Sequence, residues 1–140
     1  MNTTQQGTLG ETKVMYELAK LGLPIFREIS NTSKTDVITI IDGKCIKIQC
    51  KLVNSINNES ISVMLESTTS GEMYTEKDFD VLAAYIPQVN KIVYLSWKDI
   101  GDNKTLTLRF KLNENRQKNS KLIRLVDNYT DFNHAFGVVA

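Results

Sequence analysis

The chain has 140 residues, 41% of them hydrophobic and 24% charged, with a net charge of +1. This length and composition fit one globular domain over residues 1–140 and exclude collagen-like, proline-rich and intrinsically disordered classes. No apolar run approaches the roughly 20 residues that span a bilayer, and the polar first ten residues carry no secretory signal, so a cytoplasmic protein with no membrane partner is expected.

Thr3 or Thr4 can cap a first helix that runs to about Leu21 and stops at Gly22, with Pro24 just beyond. Gly7, Glu11, Val14, Leu18 and Leu21 fall on one helical stripe. Glu11 therefore sits on or beside the apolar face, where a carboxylate needs a partner or a route to solvent. Residues 24–29 read as a short strand and residues 30–35 as a polar loop. Two β-rich runs follow, 36–41 and 44–52, joined by Asp42-Gly43, a strong type I′ hairpin signal. In the second run Lys44, Ile46, Ile48, Cys50 and Leu52 alternate with Cys45, Lys47, Gln49 and Lys51. Cys45 and Cys50 thus face opposite ways and cannot bridge. Both are expected reduced, and a buried strand position is the default for Cys45.

Residues 60–66 read as a further strand. Residues 79–86 form a nearly continuous apolar run, expected as a buried central strand, with a turn at 87–90 and a return strand at 91–97. Asp78 and Asp80 are expected to cap the start of that strand. Residues 105–110 alternate with Leu106, Leu108 and Phe110 inward. Residues 115–127 are expected to be helical, with Leu122 and Val126 inward, and 129–136 form a last helix. His134, the only histidine, excludes a multi-histidine metal site and argues against a Ser-His-Asp triad. The expected fold class is α/β, a mixed β-sheet flanked by helices.

Charge is uneven along the chain. Between positions 104 and 124 stand Lys104, Arg109, Lys111, Arg116, Lys118, Lys121 and Arg124 against Glu114 alone, a local +6 that leaves −5 elsewhere. That pattern is either a solvated lysine-rich face or an electrostatic footprint for nucleic acid.

The hairpin carries a geometric consequence. With Asp42 and Gly43 as the loop, Ile41 pairs with Lys44 and Asp36 falls opposite Gln49 on the same face, Cβ atoms about 4.5–5.5 Å apart. Lys51 is a diagonal neighbour within about 7–8 Å. A carboxylate, an amide carbonyl and an ammonium on one face suit metal-assisted phosphodiester hydrolysis. Mg²⁺ takes hard oxygen ligands and only one or two protein carboxylates. Asp36 can give one, Gln49 a neutral oxygen, the Cys50 backbone a third, and Glu11 a second carboxylate if its helix packs across the sheet. Lys51 can orient the attacking water or offset phosphorane charge. The same residues also fit a bland arrangement: Asp36 ending a loop and paired with Lys51, and Gln49 exposed on its strand.

A helix bearing Gly10-Glu11, then Asp36 opening a hairpin, then Gln49-Cys50-Lys51 on the next strand resembles the PD-(D/E)XK nuclease superfamily. The segment from Tyr74 to Trp97, with Asp78-Phe-Asp80 entering an apolar strand, is similar to its small-endonuclease branch of group I intron homing enzymes and Holliday-junction resolvases. Thr35 stands where the name-giving proline would be, and Gln49 replaces the second acid, a change tolerated in the homing branch. The resemblance implies a restriction-endonuclease-like core and catalytic roles for Glu11, Asp36, Gln49 and Lys51. It also implies Mg²⁺ (or Mn²⁺) held by Glu11, Asp36, Gln49 and the Cys50 carbonyl. The expected function is a site-specific, Mg²⁺-dependent double-strand DNA endonuclease of the intron-homing kind. Lys47, Arg109, Lys111, Arg116, Lys118, Lys121 and Arg124 would meet double-stranded DNA. A homo-oligomer, a dimer or a dimer of dimers, would supply two active centres. The alternatives are a resolvase or restriction-type enzyme, and a catalytically inactive DNA-binding module on the same fold.

Overall fold

The computed structural model describes residues 1–67, 70–112 and 123–139. Helix α1 covers Thr3–Lys20. Its cap is Asn2, one residue before the expected threonines, because Asn2 and Gln5 close a reciprocal capping box. Gly22 follows in the left-handed region at φ 74° and ends the helix. Gly10, Val14 and Leu18 are its buried residues. Leu21, expected on that stripe, is instead 54% exposed, because the helix has ended and Leu21 is its C-cap.

Strands β1 (Val37–Ile41) and β2 (Lys44–Leu52) form the hairpin. Asp42 and Gly43 both have positive φ, 53° and 77°, as a type I′ turn requires. Ile41 pairs with Lys44 and Val37 with Ile48, the register read from the sequence. Residues 24–29 contribute only one bridge to this edge, Phe26 to Ile38. Strand β3 is Ser60–Met64, β4 Val81–Ile86, β5 Lys91–Ser96 and β6 Thr105–Arg109. A short helix α2 (Trp97–Ile100) follows β5. Residues 123–127 are not helical as expected: β7 (Arg124–Leu125) pairs with β6 and a 3₁₀ turn follows. The rest of the expected 115–127 helix lies outside the described residues. The last helix, α3, is Phe132–Val139.

The strands make two sheets rather than one. The first runs β1-β2-β4-β5, with β2 and β4 parallel; the second runs β3-β6-β7. One face of the first sheet (Ile46, Ile48, Cys50, Val81, Ala83, Tyr94) packs under α1 and α3. The other face (Leu82, Ala84, Ile86, Val93, Leu95) packs against Ile61, Val63, Leu106 and Leu108 of the second sheet. β4 is covered on both sides, which is why its sequence is apolar without alternation.

This layering leaves the site open. The second sheet covers β4 and β5 but not the same face of the β1–β2 hairpin. Cys45, on that uncovered face, is therefore exposed rather than buried. Phe79 fixes the entry to β4: it is fully buried, stacked on Trp97 at 5.1 Å, and edge-on to Tyr74 at 5.2 Å. Asp80 next to it accepts from the Lys47 amide at 2.9 Å and fastens the start of β4 to β2, whereas Asp78 accepts from the Thr75 amide at 2.8 Å and closes the turn before it rather than capping the strand. His134 on α3 lies 3.0 Å from the Asp99 carboxylate and ties the last helix to α2.

Candidate active site

The site forms where α1 crosses the end of β2. Asp36 lies one residue before β1. Its amide donates to the Ile48 carbonyl at 2.9 Å, and its Oδ2 accepts from the Cys50 amide at 2.8 Å. The carboxyl is thus fixed across the hairpin from Gln49, as the register requires. Burial pushes Asp36 up to about 6; the neighbouring charge of Glu11 adds to the rise, and the Cys50 hydrogen bond, Arg27 and Lys51 oppose it.

Gln49 pairs with Leu82 and Lys51 with Ala84 across the parallel β2–β4 ladder. Both side chains therefore stand at the border of the second core, half in apolar surroundings. The Gln49 Oε1 is buried and has no hydrogen-bond partner. Its Nε2 makes only a long contact, 3.4 Å, to the Cys50 carbonyl. Desolvation pushes the Lys51 ammonium down from its ordinary range, against the attraction of Asp36 and Glu66. Its Nζ donates to the Glu66 carbonyl at 3.3 Å and lies 5.1 Å above the Tyr74 ring. Cys50 itself points into the α1 core, and burial raises its thiol far above the usual range. Only its backbone faces the site.

Glu11 reaches this corner because α1 approaches closely at Gly10, which is buried against the Lys51 backbone. Glu11 Oε2 is 3.0 Å from Arg27 Nη2. Arg27 was not singled out from sequence, although it is the only arginine before position 109 and answers the need of Glu11 for a partner. Tyr74 and Glu66, which hold Lys51, carried no sequence signal, since their nearness depends on the second sheet.

Two clefts open at this corner, one at Gln49 and Lys51 and one at Asp36. One, of about 270 Å³, lies between Gln6 and Gly7 of α1, residues 49–52 of β2, and Tyr74. The other, of about 400 Å³, is lined by Thr35, Asp36, Lys34, Lys47, Lys77 and Asp78 among others. Among the described residues no three His, Cys, Asp or Glu side chains group as a metal site. A cation here would need the amide and backbone oxygens as well as the carboxylates.

Of the basic residues expected on DNA, Lys47 lines the second cleft. Arg109, Lys111 and Arg124 lie on or beside the second sheet, and Lys111 pairs with Glu59 at 3.2 Å. Thr105 pairs with Met64, which lines the first cleft, so Arg109 is four strand residues, about 13 Å, farther along. Arg116, Lys118 and Lys121 lie outside the described residues.

A sequence profile of PD-(D/E)XK endonucleases matches residues 1–132. The chain belongs to the PD-(D/E)XK endonuclease family. A curated relative, Protein 5.3 of Escherichia phage T7, is 26% identical over 97 residues, 67% of this chain and 80% of that protein. Among solved structures, the bacterial homing endonuclease I-Ssp6803I shares the fold, with a TM-score of 0.72 at 14% identity over 99% of this chain and 93% of its own. The restriction-endonuclease-like architecture expected from Asp36, Gln49 and Lys51 is thus present, and the protein is a nuclease of this family. None of its described helices is long and apolar enough to cross a membrane.

Proposed function

We propose that this nuclease is a site-specific, Mg²⁺-dependent enzyme that cuts both strands of DNA, with Glu11, Asp36, Gln49 and Lys51 carrying the reaction. The observation behind this reading is the buried, unpartnered Gln49 Oε1 on the face of Asp36. Leaving such an oxygen unpaired costs about 1–3 kcal/mol. A ligand that completes it explains why the position is not apolar although its oxygen makes no hydrogen bond.

A divalent cation fits that role. Asp36 and Glu11 offer carboxylates, Gln49 and the Cys50 backbone offer neutral oxygens, and this is the hard-oxygen set that Mg²⁺ and Mn²⁺ take. When bound, the cation polarises the scissile phosphate and lowers the pKa of water.

The chain's own groups do the rest. The Cys50 amide holds Asp36 in one rotamer. Arg27 holds Glu11 and keeps part of its charge balanced before DNA arrives. Lys51, whose ammonium desolvation disfavours, orients the attacking water and offsets the charge that develops on phosphorus, and the water's proton passes to solvent. The water oxygen bonds to phosphorus as the bond to the leaving sugar oxygen breaks on the opposite side. The leaving oxygen takes a proton from solvent, and phosphorus inverts without a covalent intermediate.

Fold likeness to a homing endonuclease supports site-specific cutting in an intron-homing role. Lys47 with Arg109, Lys111, Arg116, Lys118, Lys121 and Arg124 would supply phosphate contacts and some base contacts. One site per chain means that two strands require at least two copies, most simply related by two-fold symmetry. An inactive binding module would have no use for the unpartnered Gln49 oxygen. The test is incubation with plasmid and with branched DNA, in Mg²⁺ and in EDTA. Linear product from plasmid in Mg²⁺ alone supports the reading; no cleavage of either DNA in Mg²⁺ or Mn²⁺ overturns it, and preference for the branched substrate points to a resolvase.

A further inference from the structure

The loop from Glu28 to Thr35 is held shut by a single carboxylate. Glu28 accepts from the Ser30 hydroxyl at 3.0 Å, the Thr32 amide at 3.1 Å and the Thr32 hydroxyl at 2.7 Å. It also accepts from the Ser33 amide at 3.0 Å and the Ser33 hydroxyl at 2.9 Å. Asn31 takes the left-handed conformation, φ 54°, to turn the chain over. Five donors on one surface carboxylate fix a segment that has no core packing of its own. Beside Glu28 stands Ile29, 103% exposed, the most exposed large apolar side chain among the described residues. Folding gains nothing from an isoleucine there, since it removes no surface from water.

The place of the loop matters. Glu28, Thr32, Ser33 and Lys34 line the cleft that ends at Asp36, together with Lys47 and Lys77. Thr35, at the loop's end, is anchored to the Asp78 carbonyl at 2.6 Å. Lys47 Nζ donates to the Lys77 carbonyl at 2.7 Å, which draws two lysines to one rim. The loop carries an exposed apolar tip next to Glu28, and the rim of the Asp36 cleft holds three lysines, of which Lys34 is paired with the exposed Glu72 at 3.7 Å. This combination matches how proteins enter a DNA groove. Cations hold the backbone, and an isoleucine meets base edges or wedges a base step.

We propose that the Glu28-latched loop is a preformed DNA-groove probe, with Ile29 contacting bases beside the scissile phosphate and Lys34 and Lys77 contacting flanking phosphates. This inference rests on the nuclease reading and adds a recognition element separate from the basic 104–124 segment. The latch removes the ordering cost that a mobile loop would pay on binding. The charge of Glu28 is turned onto its own donors rather than toward the DNA.

The test is photocross-linking in EDTA to a mixed-sequence duplex of about 40 base pairs at low salt. Benzoylphenylalanine replaces Ile29 in one variant. In a control it replaces Leu21, an exposed apolar residue beside Ile41 and Asp42 at the far end of β1. Position 29 should cross-link to DNA and position 21 should not. Glu28→Ala should lower DNA affinity and speed hydrogen exchange at the Thr32 and Ser33 amides. Lys34→Gln and Lys77→Gln should each flatten the slope of log K against log salt by about 0.9. If wild-type protein cleaves plasmid DNA in Mg²⁺ yet position 29 cross-links no better than position 21, the loop inference is wrong and the nuclease reading stands. If wild-type protein neither binds nor cleaves duplex DNA, both fail.

Discussion

Gly10 lies directly against the backbone of Lys51: a Cβ built on Gly10 would sit 3.3 Å from the Lys51 carbonyl oxygen and 3.4 Å from its carbon. The lack of a side chain at position 10 lets the first helix lie this close to the end of β2, where it carries Glu11. Alanine here gains up to about 1 kcal/mol in helix propensity but must push the helix a few tenths of an ångström from a strand that cannot yield. Gly10→Ala should therefore fold with a melting temperature near that of wild type, yet cleave at least about tenfold more slowly, since small misplacements of reacting groups are expensive. Gly10→Val should lose both stability and activity. Wild-type cleavage by the alanine variant would show that the approach of α1 serves packing alone.

Asp36 is held at a cost to the fold. Its folded-state value of about 6 lies above the ordinary 3.8 because burial disfavours the anion. The folded state therefore binds that proton more tightly than the unfolded chain. The stabilisation is complete below about pH 3.8 and is lost as pH rises through about 6, so at neutral pH the ionised carboxylate is a liability of about 1–3 kcal/mol. Asp36→Asn should abolish cleavage and, without metal, raise the melting temperature at pH 7.5, with the gain shrinking toward pH 4. Calorimetry at both pH values checks this. A destabilised variant at pH 7.5 would show that burial is not what governs Asp36.

The same titration sets the pH dependence of the wild-type enzyme. Below about pH 6 a proton competes with any cation for Asp36, so apparent metal affinity should fall about tenfold per pH unit. Mn²⁺ titration by calorimetry at pH 5, 6 and 7.5 measures it. Affinity that is flat across this range would remove Asp36 from the metal set.

What the sequence showed of this site was its short-range part. The Asp42-Gly43 turn sets the hairpin register, and the register alone places Asp36 across from Gln49 with Lys51 beside it. Glu11 came from the helix stripe, and Gly10 beside it from the family resemblance. What it could not show depends on how distant layers meet. The division into two sheets decides that Cys45 is exposed, that the Gln49 side chain is half-buried with its Oε1 out of reach of water, and that Lys51 rests on Tyr74, and no local pattern encodes it. Arg124 read as helical from its neighbours, and pairing with β6 overrode that preference. The Glu28 latch is local, but its hydroxyls look like any polar loop until their hydrogen bonds are drawn.

DNA affinity should depend steeply on salt, because the 104–124 segment carries a local +6 in a chain of net charge +1. Each neutralised phosphate contributes about −0.9 to the slope of log K against log salt. Replacing Arg116, Lys118, Lys121 and Arg124 by glutamine should flatten the slope and weaken all sequences alike. Arg109→Ala, on the polar face of β6, should instead relax preference at one base position. Anisotropy titrations at several salt concentrations measure both. An unchanged slope in the quadruple variant would confine the DNA face to the cleft lysines.

Gln49 gives the sharpest test of the site, because its oxygen has no structural employment. In most architectures a buried amide is kept by its hydrogen bonds, so its removal destabilises the fold. Here Oε1 has none and Nε2 has one at 3.4 Å, so Gln49→Ala should cost little stability beyond lost packing, about 1 kcal/mol, while removing a metal oxygen. Its cleavage should fall by two or more orders of magnitude. Gln49→Glu keeps an oxygen at the same reach and adds charge beside Asp36 and Glu11. Without metal, three carboxylates then crowd one corner, so this variant should be less stable than wild type at pH 7.5 and regain stability in Mg²⁺. It should bind Mg²⁺ and Mn²⁺ more tightly, discriminate less between them, and retain at least part of the cleavage activity. Thermal melts with and without Mg²⁺, beside plasmid cleavage rates, separate the outcomes. Metal-independent melts and equal cleavage by the alanine and glutamate variants would mean that position 49 never touches the cation.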